Sequence, residues 1–304
     1  MITVLSGGVG AARLLRALSG ETDPRDLRAV VNVGDDLVMH GLTICPDLDT
    51  ITYTLAGLNN DELGWGLQDE SWRVMSELER LGGESWFRLG DRDLATHLYR
   101  SQRLSEGATK TEVTQELCDH WGVQIELLPA SNDPVATVFD TDEGTLSFQQ
   151  YFVQRHHDVT VRAITVRGAQ DAMATPEVLD ALRNAERLVI APSNPLISIE
   201  PILQIPEIRD VVRARRDDVV AISPLINGAA VKGPADRLLR ELGYDATSEG
   251  VAKYYEGLIG TMIIDEVDRA QAPSIERLGV RVKVTTTLMA ESSNASRLAQ
   301  AVLE

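Results

Sequence analysis

Short apolar runs rich in β-branched residues recur along the chain, separated by stretches whose apolar positions repeat every three or four residues. The runs lie at Ile2 to Leu5, Ala29 to Val33, Leu188 to Ala191, Val219 to Ile222, Met262 to Ile264 and Val280 to Val284. Short runs of this mainly β-branched, apolar character predict that most of them are parallel strands buried on both faces. The last run alternates apolar with basic residues, which predicts a place at a sheet edge. Amphipathic patterns at Ala11 to Leu18, Ser198 to Leu203, Ile208 to Arg215 and Ala235 to Leu242 follow the first, third and fourth runs. Strand alternating with helix predicts a doubly wound, mostly parallel α/β sheet.

The middle of the chain breaks this rhythm. Glu70 to Leu81, Asp93 to Leu104 and Lys110 to Trp121 are three helical patterns in succession with no strand between them, which predicts a helical lobe inserted at about residues 60 to 122. Beyond it, Val135 to Phe139 and Thr145 to Phe152 flank a polar Asp140 to Gly144 turn, the pattern of a hairpin expected at a sheet edge. No repeat, low-complexity tract or long linker divides the chain, so residues 1 to 304 are read as one α/β domain carrying that lobe.

Composition narrows the function. The chain has 43% hydrophobic and 25% charged residues, ordinary values for a folded globular protein. With 29 Lys and Arg against 46 Asp and Glu the formal charge is -17, which disfavours attraction to nucleic acid or to anionic lipid. A phosphate ligand would therefore be held by local devices: backbone N–H groups, a few placed cations, or a captured metal ion. Cys45 and Cys118 stand far apart with no CxxC pattern, as suits a reducing, cytoplasmic setting. The start MITVLSGGVG has no charged segment ahead of a long apolar one, and no run approaches the roughly 18 to 20 apolar residues of a membrane span. Neither export nor membrane insertion is expected.

In an open α/β sheet, ligands bind beyond the carboxyl ends of the strands. The first strand runs into Ser6-Gly7-Gly8-Val9-Gly10 and a helix, a turn that lets backbone N–H groups approach a phosphate. The P-loop lysine is missing, and Arg13 stands where a GxGxxG pattern would put its third glycine. That favours a generic phosphate cradle with Arg13 as an extra cation; a tight turn needed only for packing is the other reading. The second strand ends in Asn32-Val33-Gly34-Asp35-Asp36, and Pro46-Asp47-Leu48-Asp49-Thr50 opens a helix shortly after. Carboxylates from two segments are what Mg²⁺ takes alongside waters and phosphate oxygens; the alternative makes Asp49 an N-cap and Asp35 and Asp36 solvated turn residues.

Three further segments qualify. Gly90-Asp91-Arg92-Asp93 leads into a helix carrying His97, where the carboxylates either cap helices or reach a substrate from the lobe. Pro192-Ser193-Asn194-Pro195 presents small polar groups ahead of a helix, suited to phosphate or base-edge contacts. Lys232 lies in a loop framed by Gly228, Gly233 and Pro234, the best candidate for a lysine facing phosphate, with a solvated loop lysine as the alternative. His40 and His97 lack metal spacing, and a Cys45 nucleophile with His97 as base has no supporting pattern.

Taken in order, ITVLSGGVGAARLL, VNVGDDLVMHGLTICPDLDT, GWGLQDESW, WFRLGDRDLATH, LPASNDPVATV, APSNPLISIEPILQIP and SPLINGAAVKGPAD resemble the CofD family, transferases that assemble the deazaflavin coenzyme F-420. The resemblance runs from Met1 to about Asp236 and continues weakly to the end. It implies a Rossmann-like α/β core with an added lobe, usually in a homodimer, and a Mg²⁺-dependent reaction. In that reaction the ribityl hydroxyl of the deazaflavin Fo attacks the phosphoryl group of a guanosine-diphospho-linked three-carbon acid, expelling GMP. Asp35 and Asp49 then resemble the metal aspartates, with Asp47 the close substitute. Gly7, Gly8, Gly10, Arg13, Ser193, Asn194 and Lys232 resemble nucleotide and phosphate contacts, and Asn32, Asp91 and Arg92 contacts near the acceptor. Asp36 or a neighbouring carboxylate is a candidate to orient the attacking hydroxyl. The wording of ICPDLDT and PILQIP favours phosphoenolpyruvate over 2-phospholactate or 3-phosphoglycerate as the three-carbon unit. A related class of CofD-like regulators, which bind a nucleotide sugar without transfer chemistry, is the alternative.

Overall fold

In the computed structural model, residues 1–60 and 64–304 are described. Residues 61–63, inside the expected lobe, lie outside the described residues. The six runs, joined by Glu126–Pro129, which the sequence pattern does not pick out, form one seven-stranded sheet: β1 (Ile2–Ser6), β2 (Leu27–Val31), β3 (Glu126–Pro129), β4 (Arg187–Ile190), β5 (Val219–Ile222), β6 (Thr261–Ile264) and β7 (Arg281–Val284). Every pair in it is parallel, and the spatial order is β7-β6-β5-β4-β1-β2-β3. The order reverses between β1 and β4, where a crevice opens because the connections leaving the two strands diverge.

Alternation along each strand divides the core in two. Leu5, Val30, Leu128 and Ile190 point to one side. Val4, Ala29, Val31 and Val189 point to the other, against α1 (Gly8–Ser19), α2 (Pro46–Leu55) and the C-terminal helix Ser292–Leu303. With both faces covered, strands without polar alternation are what the architecture demands.

The connection from β2 to β3 holds the lobe. A hairpin of Leu37–Met39 and Leu42–Ile44 comes first, then α2, α3 (Arg73–Arg80), α4 (Asp91–Ser105) and α5 (Lys110–Trp121). Met39, Ile44, Met75 and Leu89 give the lobe a small apolar centre of its own. Thr109 and Glu112 close a capping box at the start of α5, and Gly122 ends the helix in the left-handed conformation at φ 69°.

The expected edge hairpin is not at the edge of the main sheet. Ala136–Thr141 pairs with Gly144–Ser147 and with Val161–Arg167 in a separate three-stranded antiparallel sheet. The second arm ends at Ser147 because residues 150–154 coil into helix, burying Tyr151 against Phe139 with ring centroids 4.1 Å apart. The edge belongs to β3 at one end and β7 at the other.

Candidate active site

Ser6-Gly7-Gly8 leaves β1 and enters α1 with Gly8 at φ 68°. The turn is packed against its neighbours: a Cβ on Gly7 would come within 2.8 Å of Ser198 Cβ and 2.9 Å of Asp47 Oδ2, and one on Gly10 would run into the Pro192 carbonyl oxygen. Ser193 Oγ donates to the Gly7 carbonyl at 2.7 Å, locking the loop after β4 to the loop after β1. Gly8 N–H, expected to face a phosphate, donates instead to Asp47 Oδ1 at 2.8 Å.

That bond is part of a compact acid pair. Asn32, just past β2, donates from one amide nitrogen to Asp35 Oδ1 at 3.0 Å and to Asp47 Oδ2 at 2.9 Å. Asp35 and Asp47 are 5% and 6% exposed, and neither has an ion-pair partner among the described residues. Burial, with the charge of Asp47 beside it, pushes the Asp35 carboxyl well above the usual carboxylate range. Burial likewise pushes Asp47 up to about 6, despite the Asn32 amide and the Gly8 N–H. Two buried carboxylates converging on one neutral amide make a hard-oxygen donor set that lacks a balancing cation, the chemistry a divalent ion of the Mg²⁺ type fits.

The other two acids are spent. Asp36 pairs with Lys110 Nζ of α5 at 2.6 Å. Asp49 takes the forked guanidinium of Arg100 on α4, Nη1 to Oδ2 at 3.1 Å and Nη2 to Oδ1. Arg100 Nη1 also lies 3.2 Å from His97 Nδ1, His97 Nε2 lies 3.3 Å from Asp93 Oδ1, and Tyr53 OH of α2 donates to that same oxygen at 2.7 Å. The cluster Asp49, Asp93, His97 has metal-ligand reach, but Arg100 already occupies Asp49. Cys45, buried beside Asp36, has its thiol pushed up by burial and is no nucleophile.

These walls enclose a cleft of about 670 Å³ at the β1/β4 crevice. It brings together Gly7, Gly8, Gly10, Arg13, Asp35, Asp47, Asp49, Ser193, Asn194 and Lys232. Asn194 caps the following turn through Leu196 N, and its buried Nδ2 has no hydrogen-bond partner among the described residues. Lys232 Nζ lies 3.4 Å from the Gly64 carbonyl; burial and the neighbouring Arg13 charge both lower its affinity for a proton, so two cations stand close together in the cleft that holds the acids. Trp65, Trp86, Phe87, Phe148 and Phe152 make up the aromatic part of the cleft wall.

Four expected residues fall outside the cleft lining. Asn32 lies beneath the acid pair, and Asp36 faces Lys110. Asp91 accepts from Ser71 Oγ and from the Arg73 and Val74 amides, capping α3, while Arg92 reaches the Gln68 carbonyl. Arg100, Lys110 and the aromatic wall were missed from sequence. For Arg100 a signal existed: Asp93, His97 and Arg100 share one helix face at spacings of four and three, a polar stripe where an exposed helix needs none.

The profile of the CofD family, described as 2-phospho-L-lactate transferase CofD, matches residues 2–294. A phosphoenolpyruvate transferase of Kitasatospora aureofaciens is 42% identical over 309 residues, covering 99% of this chain and 96% of the relative. A 2-phospho-L-lactate transferase of Methanosarcina mazei is 36% identical over 301 residues, covering 99% of each. Among solved structures, a member of the upf0052 family from Bacillus halodurans covers 100% of this chain and 98% of its own at a TM-score of 0.65 and 16% identity, a likeness of fold. Among the described residues no helix is long and apolar enough to cross a membrane.

Proposed function

The chain belongs to the CofD family, and on that premise we propose that it is a transferase of coenzyme F-420 biosynthesis. It moves a phosphoenolpyruvyl group, or its 2-phospholactyl counterpart, from a guanosine-diphospho-linked donor to the ribityl hydroxyl of Fo. The hydroxyl oxygen forms a new bond to phosphorus as the bond from phosphorus to GMP breaks, and the hydroxyl proton passes to water. The products are GMP and F-420-0, in its dehydro form when the donor carries phosphoenolpyruvate.

The observation that carries this reading is the Asp35–Asn32–Asp47 cluster at the β1/β4 crevice, whose two carboxylates line one cleft with Arg13 and Lys232. Phosphoryl transfer asks a protein mainly for positioning and charge neutralisation, and no covalent nucleophile is needed. In this assignment Arg13 and Lys232 bind the diphosphate, Asn194 uses its unpartnered Nδ2 on the donor, and the aromatic wall stacks the flat deazaflavin ring. Asp35 and Asp47 would hold Mg²⁺, which when bound neutralises charge on the phosphoryl oxygens. The paired state of Asp49 with Arg100 is why Asp47 takes the ligand role first assigned to Asp49.

The name of the Kitasatospora relative, at 42% identity against 36% for the Methanosarcina one, supports phosphoenolpyruvate as the three-carbon unit. Nothing in the site favours the regulatory alternative. We further propose a cytoplasmic homodimer, as the family resemblance implies, with light scattering as the check on its mass. Incubation with Fo, Mg²⁺ and each guanylylated donor tests the reading: GMP release and a phosphodiester product of dehydro F-420-0 mass are expected with the phosphoenolpyruvyl donor. No turnover with any donor, together with tight binding of a uridine nucleotide sugar, would overturn it.

A further inference from the structure

Each acidic loop carries two carboxylates that have separated into different jobs. One of each pair, Asp35 and Asp47, stands in the cleft with no ion-pair partner among the described residues, while Asp49 also reaches the lining. The other, Asp36 and Asp49, turns to a cation delivered by the lobe: Lys110 from α5 at 2.6 Å, and Arg100 from α4 through a fork that includes a 3.1 Å contact. Both ion pairs are nearly dry, with side chains 11% and 14% exposed at Lys110–Asp36 and 4% and 9% at Arg100–Asp49. Arg100 is in turn fixed by His97, whose far nitrogen sits 3.3 Å from Asp93, and Asp93 is held by Tyr53 of α2. The helix that carries Asp47 and Asp49 is thus tied to α4 at two points.

From this we infer that Arg100 and Lys110 are positioning residues, which set the separation of Asp35 and Asp47 by pulling on the neighbouring carboxylate of each loop. The inference rests on the cation-binding reading of the acid pair. Asp35 sits in the turn after β2 and Asp47 in the first turn of α2, two repelling carboxylates on separate segments for which the shared Asn32 amide alone is a weak tie. Neither cation touches the cleft, so neither contributes to substrate contacts.

Variants that conserve the net charge of the site separate charge from position, which makes the inference testable without substrate. With net charge conserved, binding of a divalent cation should stay nearly unchanged if electrostatics alone operate. Removing a tether should weaken it, by about 10- to 100-fold on the scale of outer-shell partners at metal sites. Mn²⁺ affinity, read by electron paramagnetic resonance on the substrate-free protein, decides between them. Asp36→Asn/Lys110→Met replaces one buried pair by neutral groups, so no unpaired charge threatens the fold, and Arg100→Lys keeps the charge but loses the fork. Both are expected to melt within a few degrees of wild type, by circular dichroism, yet to bind Mn²⁺ at least about tenfold more weakly. Folded variants with unchanged or tighter Mn²⁺ binding would overturn the inference. If wild-type protein shows donor turnover while that happens, only the tethering role falls. Wild-type protein that binds no Mn²⁺ would overturn the tethering role together with the metal assignment.

Discussion

Asp35 and Asp47 are costly to the folded protein taken alone. Each is buried against a like charge, and burial with that charge raises the proton affinity of both. Strain of this kind persists where function requires it. Replacing one carboxylate by its neutral isostere should relieve the repulsion while removing one of the proposed cation ligands. Asp35→Asn is therefore expected to raise the melting temperature of the metal-free protein by about 2 °C or more and to lower GMP release at least about 100-fold. Calorimetry and a turnover assay on the same sample check both halves, and a variant that melts lower would show that the pair is stabilising. Gly10 offers the converse case, a residue whose lack of a side chain lets α1 touch the loop after β4. Because the obstacle is the Pro192 backbone, Gly10→Ala must displace one loop. It should cost about 1–3 kcal/mol in urea unfolding and raise the donor KM, and an unchanged urea midpoint would refute the contact.

The elements differ in how directly they follow from local pattern. Val219–Ile222 is an unbroken apolar run and Ile2–Ser6 a mainly apolar, β-branched one, each followed by a polar or glycine turn, so their burial on both faces is readable before any fold is known. Glu126–Pro129 is not: Glu-Leu-Leu-Pro has no β-branched residue and ends in proline, and only pairing with β2 makes it a strand. Arg100 and Lys110 lie on helices that read as solvated faces, and their burial is a tertiary fact. The acid pair shows the same division, since sequence brings the loops of Asp35 and Asp47 near each other while the shared Asn32 amide emerges only on folding. At α5 the local signal is complete. Thr109 caps Glu112 N–H, and Glu112 returns a bond to Thr109 N–H at 2.7 Å. Thr109→Ala should cost about 1 kcal/mol, with kcat unchanged provided that Lys110 keeps its place. The Glu112 carboxyl is held below its usual range, first by the Thr109 backbone bond. A lowered folded pKa means that its contribution is complete above the ordinary value of 4.5 and fades as pH falls below it. The difference between wild type and Glu112→Ala should therefore shrink in acid, and a gap constant from pH 7 to pH 3 would show that the Glu112 carboxylate plays no part.

At the scale of the whole molecule, two electrostatic fields oppose each other. The chain carries a formal charge of -17, yet its cleft sets Arg13 and Lys232 side by side. A polyanionic donor approaching from solution meets the long-range repulsion first and the local cations only on arrival. Salt separates the two, because the Debye length falls from about 30 Å at 0.01 M to about 8 Å at 0.15 M. Screening over that range removes the field of distant surface carboxylates but acts little across direct contacts inside the cleft. The donor KM is therefore expected to fall, by about twofold or more, as potassium chloride rises from about 0.01 to 0.15 M at fixed free Mg²⁺. This is the reverse of the trend for a basic protein binding phosphates. Lys232→Ala should raise KM at every salt concentration while keeping the downward slope, because it removes a contact and leaves the surface charge almost intact. Initial rates over a matrix of donor and salt concentrations separate these effects. A donor KM that climbs steadily from the lowest salt would show that the two cations govern the approach as well as the docking.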